Sequence, residues 1–412
     1  MAGHTIDSNS ALVAEKLSAR GYVIDRKITI GDDFDLLVRE IIRLSEDSQV
    51  LLINGGLGPT LDDLTAEALA TAAKQKITEH QEAIDHLEHW CKAKKLTLND
   101  ANKKQAMLPE TAKVIHNPIG SAVGFSLTLN DCLIICTPGV PSELKAMLDD
   151  SIVETLSQHL PLQHTPYTLR WQTYGIGEST LQQLINNLFP DWPEQVEIGF
   201  RAGLPLLEIK FIVEQTANIP LLEHWANQLK QVIGDAIVCE GNGSLPDTVT
   251  ELLQKQKLTL TTAESCTGGL IASQITKVAG ASRCFEAGFV TYSNLIKQTV
   301  LDVPKETLET EGAVSEAVVK AMAEGALNKS GGDYAIAVSG IAGPDGGSEE
   351  KPVGTVWIAW GHQQNIQAVE LNFNGNRRWF QIMVAATALD LIRRSLLGIS
   401  EEPRYFKRRK VR

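Results

Sequence analysis

Residues 258–276 read LTLTTAESCTGGLIASQIT, and this pattern predicts a strand, a glycine turn and a helix in direct succession. The strand covers Leu258–Thr262, and the helix follows the two glycines. A hydroxyl group on such a turn lies in the positive field of the helix N-terminus, where a nucleophile is favoured and nearby amides can bind an oxyanion. Ser265 is therefore a candidate nucleophile. The plainer alternative is that Ser265 or Thr267 only caps the helix.

The base that would activate this serine must come from elsewhere in the same region. Its only histidine, His362, lies in a polar turn, so a Ser-His-Asp triad is not expected. The segment TYSNLIK at 291–297 offers Lys297, because a desolvated lysine can take a proton from serine, and Tyr292 as a second hydroxyl. A solvated helix lysine is the alternative. Cys266 competes as nucleophile, but without a histidine partner we expect a small buried thiol.

Two further stretches of this region suggest an anion-binding site. Ser339–Gly347 (SGIAGPDGG), followed by KPVGT, comes directly after the predicted strand Ala335–Val338, where backbone amides can cradle an anion. Asn376–Arg378 starts the last predicted helix and offers two guanidinium groups for a phosphate. A plain glycine loop and a surface arginine pair are the alternatives. The expected substrate-binding residues are Thr267, Gly268, Gly269, Ser339, Gly340, Gly343, Gly346, Arg377 and Arg378.

A second glycine motif, NGGLGPTLDDLT, occupies residues 54–65 between the predicted strand Val50–Ile53 and a predicted helix. Glycines permit close approach to a ligand, and amides at a helix start favour phosphate. Asp62 and Asp63 are poor neighbours for phosphate unless a cation lies between, so the motif suggests binding through Mg²⁺. A glycine turn with an aspartate as helix N-cap is the alternative. The nucleotide-binding candidates here are Gly55, Gly56, Gly58, Asp62 and Asp63.

Composition limits the class of protein. The 412 residues are 43% hydrophobic and 21% charged, which is ordinary for a globular chain of two or three domains. A net charge of −12 argues against a general nucleic-acid binder. There is no long apolar run, no signal-peptide pattern and no paired cysteine motif, so we expect a soluble, cytoplasmic protein without disulfides or a zinc ribbon.

The order of the predicted elements indicates an α/β multidomain fold. Residues 1–160 alternate helices and strands, including a strand over Tyr22–Ile30, which predicts βαβ units around a parallel sheet. Residues 165–240 form a small α+β domain, and residues 245–398 form a third, α/β domain. Residues 399–412 are a basic tail, which we expect to be a disordered, solubilising end.

Three motifs of the third domain together resemble the C-terminal domain of the CinA family, which occurs alone as nicotinamide-nucleotide amidohydrolase. They are AESCTGG at 263–269, YSNLIK at 292–297 and SGIAGPDGG with KPVGT at 339–355, in the family's order and spacing. The resemblance implies hydrolysis of nicotinamide mononucleotide to nicotinate mononucleotide and ammonia, in pyridine nucleotide salvage. The resemblance also implies Ser265 as nucleophile, Lys297 as base and Tyr292 as an assisting hydroxyl. The sequence of this region shows no cluster of metal-ligand residues, so we expect no metal for this reaction.

The second glycine motif, at residues 54–65, is similar to the TGGLGPTxDDxT motif of the CinA N-terminal domain and to a motif of molybdopterin-binding domains. Matching stretches are Asp7–Asn9, Asn117–Phe125 and Thr137–Leu144. The resemblance implies a molybdopterin-binding-like fold and, in some members, an ADP-ribose pyrophosphatase that uses Mg²⁺ or a similar ion. It adds Asn9 to the nucleotide-binding candidates and makes Asp32 and Asp63 the metal candidates. Family members usually begin with a strand and turn resembling GTELLLGQ, which we expect to be absent here.

The sequence leaves three functions open. The first is the amidohydrolase, with an appended nucleotide-binding domain. The second is a metal-dependent ADP-ribose pyrophosphatase with a regulatory C-terminal unit, and the third is a non-catalytic, competence-linked nucleotide-binding protein. We expect small-molecule nucleotides as ligands, no membrane or nucleic-acid partner, and a homo-oligomer, in its simplest form a dimer.

Overall fold

The structure is a computed structural model that describes residues 6–162 and 166–410. The chain divides into two compact units, Met1–Pro166 and Tyr167–Arg412. Helices and β-sheets occur in both units, so the predicted α/β class is confirmed. Within the described ranges, no helix is long and apolar enough to cross a membrane.

The first unit is built around a four-stranded sheet with helices on both faces. The strands of this unit are β1 (Val50–Asn54), β2 (Ile77–Glu79), β3 (Met107–Pro109), β4 (Lys113–Ile115), β5 (Gly124–Leu129) and β6 (Cys132–Thr137), of which β2 and β3 form a separate antiparallel pair outside the four-stranded sheet. Its helices are α1 (Ser8–Ser18), α2 (Phe34–Asp47), α3 (Thr65–Ala72), α4 (Gln81–Lys94), α5 (Asp100–Lys103), α6 (Pro141–Met147) and α7 (Val153–His159). Alternate β6 side chains face opposite cores: Ile134 packs with α2 and α3, whereas Ile135 packs with α1 and α6.

This sheet is mixed, which corrects the prediction of a parallel one. The order is β1-β6-β5-β4, and only β1 and β6 run parallel. β5 and β6 are joined by a two-residue turn at Asn130 and Asp131, both at positive φ. A loop of two residues makes a hairpin and cannot make the crossover that parallel strands need.

The predicted strand over Tyr22–Ile30 is wrong, because this segment is irregular. Val23 is 91% exposed, and Ile28 is exposed as well. The segment has no β-ladder partner among the described residues. Alternating apolar residues form a strand only where another strand supplies hydrogen bonds, so the pattern alone was insufficient.

The second unit begins with a small antiparallel sheet in the order β10-β7-β9-β8. Its elements are β7 (Tyr167–Thr173), α8 (Glu178–Leu188), β8 (Glu197–Ala202), β9 (Leu207–Val213), α9 (Ile219–Ile233) and β10 (Ile237–Glu240). Helices α8 and α9 cover one face, where Trp171 and Phe211 pack edge to face with ring centroids 4.8 Å apart. β8 and β10 were not predicted from the sequence.

The rest of this unit is a five-stranded sheet in the order β12-β11-β13-β14-β15, with helices on both faces. Its strands are β11 (Leu260–Glu264), β12 (Phe285–Val290), β13 (Tyr334–Gly340), β14 (Thr355–His362) and β15 (Asn365–Asn372). Its helices are α10 (Leu245–Gln256), α11 (Leu270–Thr276), α12 (Asn294–Leu301), α13 (Lys305–Thr310), α14 (Glu316–Ser330), α15 (Arg377–Leu396) and α16 (Phe406–Arg409). β11, β12 and β13 are parallel, and their carboxyl ends lie at one edge.

The basic tail is packed as far as residue 410, contrary to the expected disorder. Phe406 is 5% exposed and belongs to the same core as α15. The Arg409 guanidinium lies 5.0 Å from the ring centroid of Phe373 and 5.3 Å from that of Trp379. The prediction of disorder considered only the charged residues of the tail. Its aromatic residues also matter, because burial of their apolar surface stabilises the packed conformation.

Candidate active site

Ser265 follows β11 at the carboxyl edge of the five-stranded sheet. Its N–H donates to the Val338 carbonyl at 3.0 Å, which continues the pairing of β11 with β13 by one residue. Gly268 and Gly269 then have φ of +64° and +92°, where side-chain-bearing residues are disfavoured, so the two glycines are needed for the reversal into α11. The N-cap of α11 is Gly269, so neither Ser265 nor Thr267 is the N-cap.

Glu264, which the sequence reasoning did not single out, holds this turn together. Its side chain is fully buried. One carboxylate oxygen accepts from the Thr267 hydroxyl at 2.6 Å and from the N–H groups of Gly269 and Ile271 at 3.0 and 3.1 Å. The other oxygen accepts from the Ala272 N–H at 2.9 Å. The sequence did contain a signal for this role: a glutamate ends a buried strand directly before a candidate nucleophile, and a buried carboxylate needs hydrogen-bond donors nearby.

These contacts bear on the predicted substrate-binding role of Thr267, Gly268 and Gly269. The Thr267 hydroxyl and the Gly269 N–H are bound to Glu264, and the Gly268 N–H donates to the Ser265 carbonyl at 3.1 Å. Most of the donors on which that prediction relied are therefore engaged inside the protein, and within the described residues only the Thr267 N–H among them has no acceptor.

Lys297, on α12, reaches Ser265 from the adjacent strand end. Its amine lies 3.1 Å from Ser265 Oγ and also contacts the carbonyl oxygens of Thr291 and Tyr292, at 2.9 and 3.3 Å. The side chain is 1% exposed, so the alternative of a solvated helix lysine is wrong. Burial lowers the pKa of Lys297. In the structure the Lys297 amine donates to all three oxygen atoms; a neutral amine would donate to the two carbonyls and accept from the serine hydroxyl through its lone pair.

Cys266 lies beside this pair but has a different environment. Its side chain is buried, and burial raises the pKa of the thiol to about 12. The nearby Glu264 carboxylate raises the pKa of Cys266 further, because a thiolate would be repelled by it. Cys266 is thus a neutral thiol near pH 7, a poor nucleophile compared with a base-assisted serine.

A cavity of about 230 Å³ opens over the Ser265–Lys297 pair. Its mouth carries Arg377, the first residue of α15, which donates to the Gly343 carbonyl and to the Tyr292 phenol oxygen, both at 2.9 Å. The Tyr292 hydroxyl therefore contacts Arg377, while the Tyr292 carbonyl contacts Lys297. The lining consists of Ser265, Cys266, Tyr292, Asn294, Lys297, Ala313, Val314, Ser339, Gly340, Ala342 and Arg377.

Some of the remaining predicted substrate-binding residues of this region line the cavity, and others lie outside it. Ser339 lines the cavity, but its hydroxyl donates to the Ala313 carbonyl at 2.6 Å. Gly343 is at φ +71°, and a Cβ there would lie 2.6 Å from Val353, so a side chain at this position would clash. Arg378 is exposed and, like Gly346, is not part of the lining.

In the first unit the glycine motif forms a tight loop after β1. A Cβ at Gly56 would lie 2.4 Å from Thr65 Oγ1, so only glycine fits there. Asp63 accepts from the N–H and the hydroxyl of Thr60 at 2.9 and 2.5 Å, and Asp62 is exposed. The N-cap of α3 is Leu64, so the aspartate N-cap alternative is wrong. Gly56, Gly58 and Asp63 border a cavity of about 30 Å³.

The other N-terminal candidates are placed as follows. Asn9 donates to Asn54 Oδ1 at 2.8 Å and to the Gly139 carbonyl at 2.7 Å, so it braces the loop ends. Asp32 is exposed. Within residues 6–162 and 166–410, no three His, Cys, Asp or Glu side chains converge as a metal site.

Comparison with known proteins finds a matching domain family for both the N-terminal and the C-terminal region of the chain. Residues 242–396 match the CinA C-terminal domain, and residues 1–158 match the probable molybdopterin binding domain. A CinA-like protein of Colwellia psychrerythraea (strain 34H / ATCC BAA-681) is 49% identical over 99% of this chain and 95% of its own length. A CinA-like protein of Shewanella sp. (strain ANA-3) is 39% identical over 96% of this chain and 93% of its own. The chain therefore belongs to the CinA family.

Proposed function

We propose that the C-terminal site hydrolyses the carboxamide of nicotinamide mononucleotide to nicotinate mononucleotide and ammonia, a reaction of pyridine nucleotide salvage. The observation that carries this proposal is the 3.1 Å contact between the buried Lys297 amine and Ser265 Oγ beneath a cavity. Amide hydrolysis needs a nucleophile, a base that can return a proton to the leaving nitrogen, and donors for an oxyanion.

In the first half-reaction Ser265 Oγ attacks the carboxamide carbon, and its proton passes to the neutral Lys297 amine. The carbonyl oxygen becomes an oxyanion. When the C–N bond breaks, the Lys297 ammonium gives this proton to the leaving nitrogen, so ammonia departs and an acyl-serine remains. The carbonyls of Thr291 and Tyr292 hold the amine in place in both protonation states.

In the second half-reaction water attacks the acyl-serine while Lys297 takes a proton from it. The ester bond breaks, and the Lys297 ammonium returns the proton to Ser265 Oγ. The new carboxylic acid loses its proton to ammonia or to solvent. Over the cycle one amide and one water become one carboxylate and one ammonium, and the serine and the lysine return to their initial states.

The substrate class follows from the mouth of the cavity. Arg377 offers a guanidinium to a phosphate, for which its planar donor geometry is suited. Tyr292 is 61% exposed and offers an aromatic face to a planar, cationic pyridinium ring. A nucleotide with both groups satisfies the two features together.

The first unit carries no second proposal of catalysis. Asp63 is committed to Thr60, Asp62 is exposed, and Lys104 donates to the carbonyls of Thr60 and Asp63 at 2.6 and 3.0 Å. Within the described residues no three His, Cys, Asp or Glu side chains converge here, so a Mg²⁺ ion at this loop would rest on one or two carboxylates and on the phosphates of a bound nucleotide. The proposal is confined to the C-terminal site.

The test is ammonia release by the purified full chain from nicotinamide mononucleotide, with nicotinate mononucleotide quantified in parallel. We expect equal amounts of both products, with and without EDTA, and none from Ser265→Ala. ADP-ribose serves as the comparison substrate. Absence of ammonia from the wild type, or loss of activity on chelation, would contradict the proposal.

A further inference from the structure

The backbone N–H groups of the turn after Ser265 are almost all engaged. The N–H of Ser265 donates to Val338, that of Gly268 to Ser265 and that of Leu270 to Thr267. Those of Gly269, Ile271 and Ala272 donate to the Glu264 carboxylate. Within the described residues, the N–H groups of Cys266 and Thr267 donate to no backbone carbonyl, and the Cys266 N–H contacts only the sulfur of its own side chain.

The Cys266 N–H is the one that is placed for a ligand. Cys266 lines the cavity directly beside Ser265. The carbonyl of the Ser265–Cys266 peptide is turned back into the loop, where it accepts from Gly268. In a trans peptide the N–H points opposite to the carbonyl, so this N–H points out of the loop.

Cys266 is also held from its other side. Gln381, one helical turn after Arg377 on α15, donates from Nε2 to the Cys266 carbonyl at 2.9 Å. The peptide group before Cys266 and the one after it are thus both oriented by hydrogen bonds within the protein. A preorganised donor of this kind costs no reorientation when charge develops on the substrate.

We propose that Glu264 is a positioning residue, which binds the later amides of the turn and leaves the Cys266 N–H to receive the oxyanion of the tetrahedral intermediate. This inference rests on the proposed amide hydrolysis. Four donors converge on two oxygen atoms, and only an ionised carboxylate accepts four without donating. A glutamine would direct an amide N–H₂ at one of these donors.

The experiment compares Glu264→Gln with Glu208→Gln in the full chain. Glu208 is a matched control, because it is also a buried carboxylate and accepts from Gln172 and Arg201 far from the cavity, in the sheet of β7 to β10. We expect Glu264→Gln to lower kcat about 10²–10³-fold, the usual effect of losing one oxyanion donor, with KM changed less than about threefold. The pH midpoint should stay unchanged because Lys297 is intact.

Equal kcat values for Glu264→Gln and Glu208→Gln would overturn the inference, whether both are high or both are low. If Glu264→Gln does not fold, Thr267→Val decides, because it removes one donor to the carboxylate and keeps the side-chain shape. We expect Thr267→Val to lower kcat about tenfold, as for loss of a hydrogen bond to a charged group. Wild-type kcat in this variant would contradict the inference.

A serine-directed probe separates this inference from the proposed substrate. Phenylmethylsulfonyl fluoride sulfonylates a nucleophilic serine: the O–S bond forms, the S–F bond breaks and releases a fluoride ion, and the serine proton passes to Lys297. If the wild type is labelled at Ser265 but leaves nicotinamide mononucleotide intact, the substrate assignment fails. Slower labelling of Glu264→Gln than of Glu208→Gln then still supports the positioning role, and equal labelling overturns it.

Discussion

At the scale of single residues, two neighbouring groups of the site owe their protonation state to what surrounds them. Lys297 is a buried amine between two carbonyls and a hydroxyl, and burial lowers its pKa. Cys266 is a buried thiol whose pKa is raised, partly by Glu264. The same desolvation favours the neutral form of both, which supports the proposed role of the lysine as a base and disfavours a cysteine thiolate.

Replacing Ser265 with alanine should abolish ammonia release while the protein stays folded, because one small hydroxyl is removed from a turn held by other groups. Cys266→Ala should retain substantial activity and is the adjacent control. The measurement is turnover of nicotinamide mononucleotide, with circular dichroism for folding. An inactive Cys266→Ala together with an active Ser265→Ala would reverse the two roles.

Lys297→Met keeps an unbranched apolar side chain but removes the amine, so kcat should fall by at least about 10²–10⁴-fold, the typical contribution of a base. Lys297→Arg should fail as well, because a guanidinium does not give up its proton near neutral pH. Steady-state kinetics on both variants measures this. Near wild-type turnover in the arginine variant would make Lys297 a binding residue, and Tyr292 would then be the next candidate for the base.

The rate should also depend on pH through Lys297. The mechanism needs the neutral amine, so kcat should fall by about tenfold per pH unit below the Lys297 pKa and level off above it. Because burial lowers this pKa, the plateau should begin at a lower pH than for an exposed lysine. A profile of kcat against pH tests this, and a flat profile in the acidic range would speak against lysine as base.

At the scale of elements, the ends of four elements meet at the cavity. β11 ends before Ser265, and β13 ends at the glycine loop that begins with Gly340. Helix α12 supplies Lys297, and α15 starts with Arg377. The carboxyl ends of adjacent parallel strands lie at one sheet edge, which is where α/β proteins generally place their sites.

Arg377 and Arg378 are adjacent on α15 but differ in position, which provides an internal control. Arg377 lines the cavity, whereas Arg378 is exposed outside it. Arg377→Ala should raise KM for nicotinamide mononucleotide about tenfold or more, as expected for loss of a charge-assisted hydrogen bond. Arg378→Ala should stay near wild type. The same KM for both variants would remove Arg377 from phosphate binding.

At the scale of the whole molecule, α15 connects the two sheets of the second unit. The Arg393 guanidinium donates to the carbonyls of Ile237 and Asp235 at 3.0 and 2.7 Å, and the Tyr174 phenol lies 2.6 Å from the Thr387 hydroxyl. Tyr405 in the tail donates to Asp390 at 2.8 Å. The helix whose first residue borders the cavity is thus anchored at its far end by buried polar contacts.

The packed tail makes a prediction about stability. Phe406→Ala should lower the free energy of unfolding by about 3 kcal/mol, because it removes a buried aromatic ring. Lys407→Ala changes an exposed neighbour and should have little effect. Urea denaturation of both variants is the measurement. Equal stability of the two would restore the expectation of a disordered tail.

Sequence alone was sufficient for the α/β class, the family and the candidate pair, because these depend on local order. A buried strand, two glycines and a helix in succession predict the turn, and the resemblance of the motifs to the CinA family implies the second residue of the pair. The hairpin turn at Asn130 and Asp131 could also have been predicted, because these residue types favour such turns. It was not predicted, and for this reason the sheet was expected to be parallel instead of mixed.

Tertiary structure decided what depends on partners distant in the chain. Tyr22–Ile30 alternates like a strand and is irregular for want of a pairing partner in the described residues. Charged residues are expected at the surface, yet Glu264 and Lys297 are buried because a turn's amides and two carbonyls replace their water. Side-chain identity sets the chemistry that is available, and only the surroundings, assembled by folding, set the protonation state in which it acts.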